Sequence, residues 1–306
     1  MSSISSDSIS TCSNCGKGGE GNSDGIQLKS CAACRMVKYC SRECQIAHRP
    51  QHKKECKKRA AELHDELLFK QPPPNEECPI CMIRLPSLTS GRTYMSCCGK
   101  MICSGCMYAN AKMDPDKQLC PFCRTPIPDT VDDEETIKRL TERMEMNDAQ
   151  AMYNLGTKYR HGLYGLSRDM AKAIELWHRA GKLGCASAYH NIGCSYESGD
   201  GAEMNMKQAK HYYELAAIQG HTGARHNLGG MEGHEGDMDR ALKHYMIAAH
   251  DGDTDSMEAI TNLFKLGIVR KSDYAAALKL YQTAVDEIKS DLRDEYAAFS
   301  GLQKYY

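Results

Sequence analysis

Two sets of eight metal-ligating side chains occupy the first 123 positions of this 306-residue chain. The first set reads Cys12-x2-Cys15, Cys31-x2-Cys34, Cys40-x3-Cys44 and His52-x3-Cys56. The second reads Cys78-x2-Cys81, the adjacent pair Cys97-Cys98, Cys103-x2-Cys106 and Cys120-x2-Cys123. Eight donors close two tetrahedral sites, so the spacing calls for four zinc ions per chain. Only Cys185 and Cys194 of the 17 cysteines lie beyond residue 123. The pattern therefore predicts a zinc-built half joined to an ordinary globular half.

A disulfide framework would use the same residues differently. Fifteen cysteines cannot all pair with one another, whereas seven plus His52, and then eight, form complete ligand sets. The start of the chain, MSSISSDSISTC, has no positive stretch followed by an apolar one, which argues against a secretory signal and for an intracellular protein, cytoplasmic or nuclear. Thiols kept reduced in CxxC pairs are metal ligands more often than half-cystines. No run approaches 18 consecutive apolar residues, which argues against a membrane span.

Charge divides the chain although its net value is only −1. Residues 1–60 hold 11 Lys/Arg against 5 Asp/Glu, a formal +6, and residues 129–306 hold 21 against 28. Zinc thiolates lower the first figure to about +3. The cluster Lys53, Lys54, Lys57, Lys58 and Arg59 flanks a candidate ligand. No aromatic platform or reading helix accompanies it, so it reads as the solvated face of a helix rather than a nucleic-acid site.

A stretch of about 45 residues buries too little apolar surface to fold alone, and zinc then supplies most of the folding free energy. Within residues 12–56, the order of ligands, the run Tyr39-Cys40-Ser41, the pair Cys44-Gln45 and the close His52-Lys53-Lys54-Glu55-Cys56 resemble a MYND finger. The resemblance implies interleaved sites, with Cys12, Cys15, Cys40 and Cys44 on one ion and Cys31, Cys34, His52 and Cys56 on the other. The x3 spacings place Cys40/Cys44 and His52/Cys56 on one face of a helix. MYND fingers grip short proline-containing peptides with a Gln, here Gln45, and a Trp four residues later. Arg49 stands at that Trp position. His48 is not needed by any ligand set and reads as a surface residue.

Residues 57–77 form the joint: a helical pattern from Lys57 to Lys70, then Pro72-Pro73-Pro74 as a helix stop and extended spacer. Residues 78–128 resemble a RING finger. Cys78-Pro79-Ile80-Cys81 opens it, and Cys120-Pro121-Phe122-Cys123-Arg124 closes it. Lys100 stands where the common form has a histidine ligand, and a protonated amine has no lone pair for a metal. Either the second site is half filled, or Cys97 and Cys98 both serve. Four-donor closure favours the second reading, whose spacing to Cys103 is similar to the all-cysteine RING of CCR–NOT-type ligases. Vicinal ligands demand a bent backbone, which Gly99 could allow. The RING cross-brace then implies Cys78, Cys81, Cys103 and Cys106 on one zinc, with Cys97, Cys98, Cys120 and Cys123 on the other. In RING ligases the apolar residue of the first CxxC, here Ile80, docks the conjugating enzyme. Pro121 belongs to the same surface, and a basic residue after the last cysteine, here Arg124, contacts both enzyme and ubiquitin.

After a linker or helix at 129–147, a motif returns with a period near 36 residues: Ala151-x-x-Asn154-Leu155-Gly156, Ala188-x-x-Asn191-Ile192-Gly193, Ala224-x-x-Asn227-Leu228-Gly229, and a degenerate Ser256-x-x-Ala259-Ile260-Thr261. Such a period signals a helical solenoid. Second helices are expected after N-caps Asp169, Asn205, Asp237 and Asp273. Each carries an alanine four residues later and an aromatic after four more: Trp177, Tyr213, Tyr245 and Tyr281. The aromatics read as core, as do Cys185 and Cys194. The stretch resembles four Sel1-like repeats, relatives of TPR repeats, over 148–285, with a polar capping helix at 286–306.

The fold expected is multidomain: residues 1–11 disordered, two small zinc-stabilised α+β fingers, then an all-α solenoid. The function expected is a zinc-binding protein-interaction protein, acting as a RING-type ubiquitin ligase with the solenoid and MYND finger recruiting targets. Its partners would be proteins, a conjugating enzyme and ubiquitin among them, with no nucleic acid and no membrane. The alternative is a non-enzymatic scaffold or transcriptional co-regulator. No SET-domain pattern accompanies the MYND motif, which argues against a lysine methyltransferase.

Overall fold

The computed structural model describes residues 11–18, 26–72, 75–87, 89–113, 118–127 and 133–301, which form two compact units divided after Lys70. Residues 1–10, Pro73 and Pro74 lie outside the described residues, so the expected tail and most of the proline spacer do too.

In the first unit, β1 (Lys29–Ser30) pairs antiparallel with β2 (Lys38–Tyr39), and α1 runs from Arg42 to Leu68. The core is made largely of the candidate ligands: Cys12, Cys31, Cys34 and Tyr39 are buried, and Leu28 and Val37 pack against them. Ser41 caps α1 by accepting from the Cys44 N–H. Two expectations need correcting. Cys40 precedes this cap, so it does not share a helix face with Cys44, whereas His52 and Cys56 do lie on α1. The finger helix and the joint helix are also one element of 27 residues that passes through Pro50. No Gly or Pro stands between Cys56 and Leu68 to break it.

The second unit begins with the second finger. Strands β3 (Arg92–Met95) and β4 (Lys100–Cys103) form a hairpin and lead into α2 (Ser104–Met113). Its core is Cys78, Leu85, Met95, Ile102, Cys103, Cys106 and Cys120. After α3 (Asp133–Glu145) come four helix pairs: α4 (Ala149–His161) with α5 (Met170–Lys182), α6 (Ala186–Ser198) with α7 (Met206–Ile218), α8 (Thr222–His234) with α9 (Met238–His250), and α10 (Thr254–Lys265) with α11 (Lys271–Ile288). The last element is α12 (Asp291–Ser300).

The recurring glycine explains the recurring aromatic. Rings of Trp177, Tyr213 and Tyr245 lie so close to Gly156, Gly193 and Gly229 that an added Cβ would sit 2.7, 2.5 and 2.6 Å from ring atoms. A methyl group there would push the paired helices apart. In the fourth pair Thr261 replaces the glycine and Tyr281 bonds to Thr254 instead. Asp169, Asn205 and Asp237 cap α5, α7 and α9. Asp273 does not cap α11: the helix starts earlier, at Lys271, and Asp273 pairs with Arg270 in its first turn. Cys185 is buried, as the N-cap residue of α6.

In the C-terminal stretch the expected polar helix runs from Asp291 and leaves most of its side chains exposed. Helix α12 packs on α2 of the second finger, with Arg293 and Ala297 buried. Among the described residues no helix is long and apolar enough to cross a membrane.

Candidate metal centres

Four turns hold CxxC pairs in one local geometry. After Cys15, Cys34, Cys81 and Cys123 the next residue is left-handed: Gly16 at φ 70°, Arg35 at 58°, Met82 at 58° and Arg124 at 62°. In each turn that residue's N–H donates to the carbonyl of the first cysteine at 2.9 Å. The turn points both thiols to one side while its backbone N–H groups face the sulfurs, as a zinc knuckle requires. The fifth pair, Cys103 and Cys106, uses the passage from β4 into α2 instead.

These turns bring sixteen donors into four clusters: Cys12, Cys15, Cys40 and Cys44; Cys31, Cys34, His52 and Cys56; Cys78, Cys81, Cys103 and Cys106; and Cys97, Cys98, Cys120 and Cys123. Within each cluster all donor atoms lie within 4.8 Å of one another. Neighbouring sulfurs are 3.5 Å apart for Cys15 and Cys40, 3.7 Å for Cys31 and Cys56, 3.8 Å for Cys81 and Cys103, and 3.9 Å for Cys98 and Cys120. A disulfide would need about 2 Å. A tetrahedron built on Zn–S bonds of about 2.3 Å has edges of about 3.8 Å. The clusters fit zinc, and the described residues carry four such sites.

The thiols' own electrostatics ask for a cation. Burial raises Cys12, but the backbone N–H groups of Cys15, Cys40 and Asn14 outweigh it and bring the thiol down to about 6. Its neighbour Cys40 is pushed up to about 12, chiefly by its hydrogen bond with Cys15. The hydrogen bond with Cys103 brings Cys78 down to about 4, while burial pushes Cys106 up to about 12. Each cluster thus ionises one thiol at the expense of others. A divalent ion removes that conflict by holding all of them together as coordinated thiolates. With four protein donors and no open position, zinc at these sites supplies folding free energy rather than a reacting centre.

Cys97 and Cys98 face the same cluster, and Gly99 directly after them is left-handed at φ 70°. A side chain at Gly99 would also collide with the guanidinium of Arg143. Lys100 points elsewhere, with its ammonium 5.4 Å from the Phe122 ring centre. Ile80 is 43% exposed in the first knuckle of the second finger, Pro121 is half-buried in the last knuckle and Arg124 is exposed. In the first finger Gln45 lines a groove together with Arg49. His48 has a role the sequence did not reveal: it stacks on the ligand His52 at 5.6 Å and bonds the Tyr39 hydroxyl at 3.0 Å.

The second finger is fixed to the solenoid by residues that no motif marks. Arg293 of α12 is 1% exposed; it donates to the carbonyls of Arg84 at 2.8 Å, Ile288 at 2.6 Å and Ile83 at 3.2 Å, and its guanidinium lies 3.9 Å from the Cys81 sulfur. Arg84 pairs with Asp251 and Glu287, both at 3.2 Å. At the other end of the repeats, Tyr94 donates to Asp148 at 2.7 Å, and Arg143 binds both. Gly105 touches the Arg293 backbone so closely that an added Cβ would sit 2.8 Å from its nitrogen. A cavity of about 290 Å³ between finger and solenoid is lined by Arg92, Gln150, Ser187, His221 and Thr222, among others.

Comparison with known proteins places these elements. The MYND finger model matches residues 12–56, and the Sel1 repeat model matches 149–185, 186–221, 223–253 and 263–287. A curated relative, the ERAD-associated E3 ubiquitin-protein ligase component HRD3B of Arabidopsis thaliana, is 30% identical over 99 residues, which are 32% of this chain and 15% of that protein. A Sel1 repeat protein from Oxalobacter formigenes is similar in structure, at 26% identity and a TM-score of 0.44, over 49% of this chain and 64% of that one. The protective antigen c5321 of uropathogenic Escherichia coli, described as displaying an SLR fold, is 27% identical with a TM-score of 0.42, over 54% and 37%. The chain therefore spans less than two thirds of each. It is a zinc-binding protein-interaction protein that carries a MYND finger, then a finger with RING-like zinc clusters, then a solenoid of Sel1 repeats.

Proposed function

We propose that the second finger is a ubiquitin-ligase RING that docks a charged conjugating enzyme, while the MYND finger and the solenoid supply protein contacts to targets. The observation that carries the reading is the exposed Ile80, held in a rigid knuckle on a finger anchored elsewhere by Arg84 and Arg293. With 43% of its surface open to water, Ile80 is free to make an apolar contact with a partner. The ligase component named above, similar over 99 residues, supports the same class.

No residue of the finger needs to react covalently. Ile80 and Pro121 would hold the conjugating enzyme, and Arg124 would bond across enzyme and ubiquitin to restrict the thioester to its reactive arrangement. Orientation alone lowers such a barrier by several kcal/mol. The test is discharge of charged conjugating enzymes by the full zinc-loaded chain. Ile80→Ala should abolish discharge with all zinc retained, and Arg124→Ala should slow it while docking persists. Wild-type protein that discharges no enzyme of a broad panel leaves a scaffold in which both fingers only bind proteins.

A further inference from the structure

The groove beside the second zinc cluster of the first finger has a volume of about 630 Å³. Its floor is the knuckle at Ala32 and Ala33, and its wall is one face of α1. Four cations line it, Arg42, Arg49, Lys53 and Lys57, and no carboxylate does. They recur at helical spacing and are all exposed. The neighbouring cations on the same helix are treated differently. Lys58 pairs with Glu62, and Arg59 pairs with Glu62 and Glu66. Among the described residues none of the four groove cations forms an ion pair, although Arg42 feels the carboxylate of Glu43 beside it. Zinc thiolates do not use up this charge, because the finger keeps a surplus of about +3 after both sites are counted.

One apolar side chain, Ile46, stands 61% exposed among these cations. The lining tyrosine, Tyr39, is buried and bonded to His48, so no exposed ring is offered for a base to stack on. Arg49 stands where the related groove would carry a flat aromatic wall, which replaces an apolar clamp with a bidentate donor for carboxylates.

We infer that this groove binds an acidic linear peptide, with carboxylates on Arg49, Lys53 and Lys57 and one apolar side chain against Ile46. The inference rests on the finger acting as a protein-interaction module and names the chemistry of its partner.

Fluorescence anisotropy on the full zinc-loaded chain tests it, using a labelled peptide with several Asp/Glu around one leucine. Its controls are the Asn/Gln counterpart, a neutral proline-rich peptide and a single-stranded oligonucleotide. The acidic peptide should bind at least about tenfold tighter than either neutral peptide and weaken as salt rises. The double variant Arg49→Glu, Lys53→Glu should lose about tenfold or more in affinity while retaining four zinc ions. Lys54→Glu, exposed on α1 outside the groove, should change nothing. Equal binding of the neutral proline-rich peptide overturns the charge preference but leaves an interaction groove. Preference for the oligonucleotide overturns the peptide. Loss of zinc in the double variant shows that the cations serve the metal sites, and binding of none of the peptides removes the interaction reading as well.

Discussion

The two fingers share one zinc-knuckle geometry and put it to opposite structural uses. In the first, the four-residue turns close against a 27-residue helix that supplies Cys44, His52 and Cys56, and the finger with its helix forms a unit of its own. In the second, the same turns belong to a unit that includes every Sel1 repeat, and the residues joining them are far apart in sequence: Arg293 with Arg84, Arg84 with Asp251, Tyr94 with Asp148. Zinc can stabilise a small module by itself, but it does not decide whether the module stays independent. Buried polar contacts outside the metal sites decide that.

The largest effect expected from breaking the contrast is at Arg293. Arg293→Ala would leave the carbonyls of Ile83, Arg84 and Ile288 without that donor inside the unit, at a cost of about 3 kcal/mol. Denaturant unfolding of the full chain should show that loss in the transition reporting the repeats, with the zinc affinity of the first finger unchanged.

A smaller effect tests the packing within the repeats. Gly193→Ala should cost about 1–3 kcal/mol, because its methyl group would meet the Tyr213 ring. Thr261→Ala, at the equivalent place in the fourth pair, should cost less than Gly193→Ala. Equal costs would mean that the ring-on-glycine contact does not set the helix spacing.

The smallest effect is a pH slope confined to the solenoid. His221 accepts from the Ala224 N–H at 3.0 Å and stacks on His190 at 4.4 Å. Burial, then the charges of His190 and Arg92, hold His221 well below its ordinary 6.5. The unfolded chain binds the proton first, so stability is present above pH of about 6.5 and falls as pH drops below it. His221→Gln should flatten this dependence by up to about 1 kcal/mol per pH unit between pH 6.5 and 5.5, read as the difference in denaturation midpoint from the wild type. A slope identical in both proteins would remove His221 from the account.

Much of this was legible in the sequence because the signals are local. Ligand spacing, the glycine after Cys97-Cys98 and the alanine and aromatic columns each act over a few residues or one repeat. What escaped was of two kinds. Asp273 carries a familiar local signal, an N-cap, and it was overridden: α11 starts two residues before the aspartate. Arg293 gave no signal at all. It sits in a polar ten-residue helix, and only the arrival of Ile83 and Arg84, some 210 positions earlier, turns an ordinary surface charge into a buried anchor.

Hydrogen exchange on the full chain, with one zinc cluster disabled at a time, tests the contrast most directly. Cys81→Ser removes a donor from the cluster beside Arg293, and Cys15→Ser removes one from the first finger. The account predicts that Cys81→Ser deprotects α2 and α12 together while α5 to α8 stay protected, and that Cys15→Ser deprotects α1 without touching α12. Full protection of α12 in Cys81→Ser, or its loss in Cys15→Ser, would contradict it.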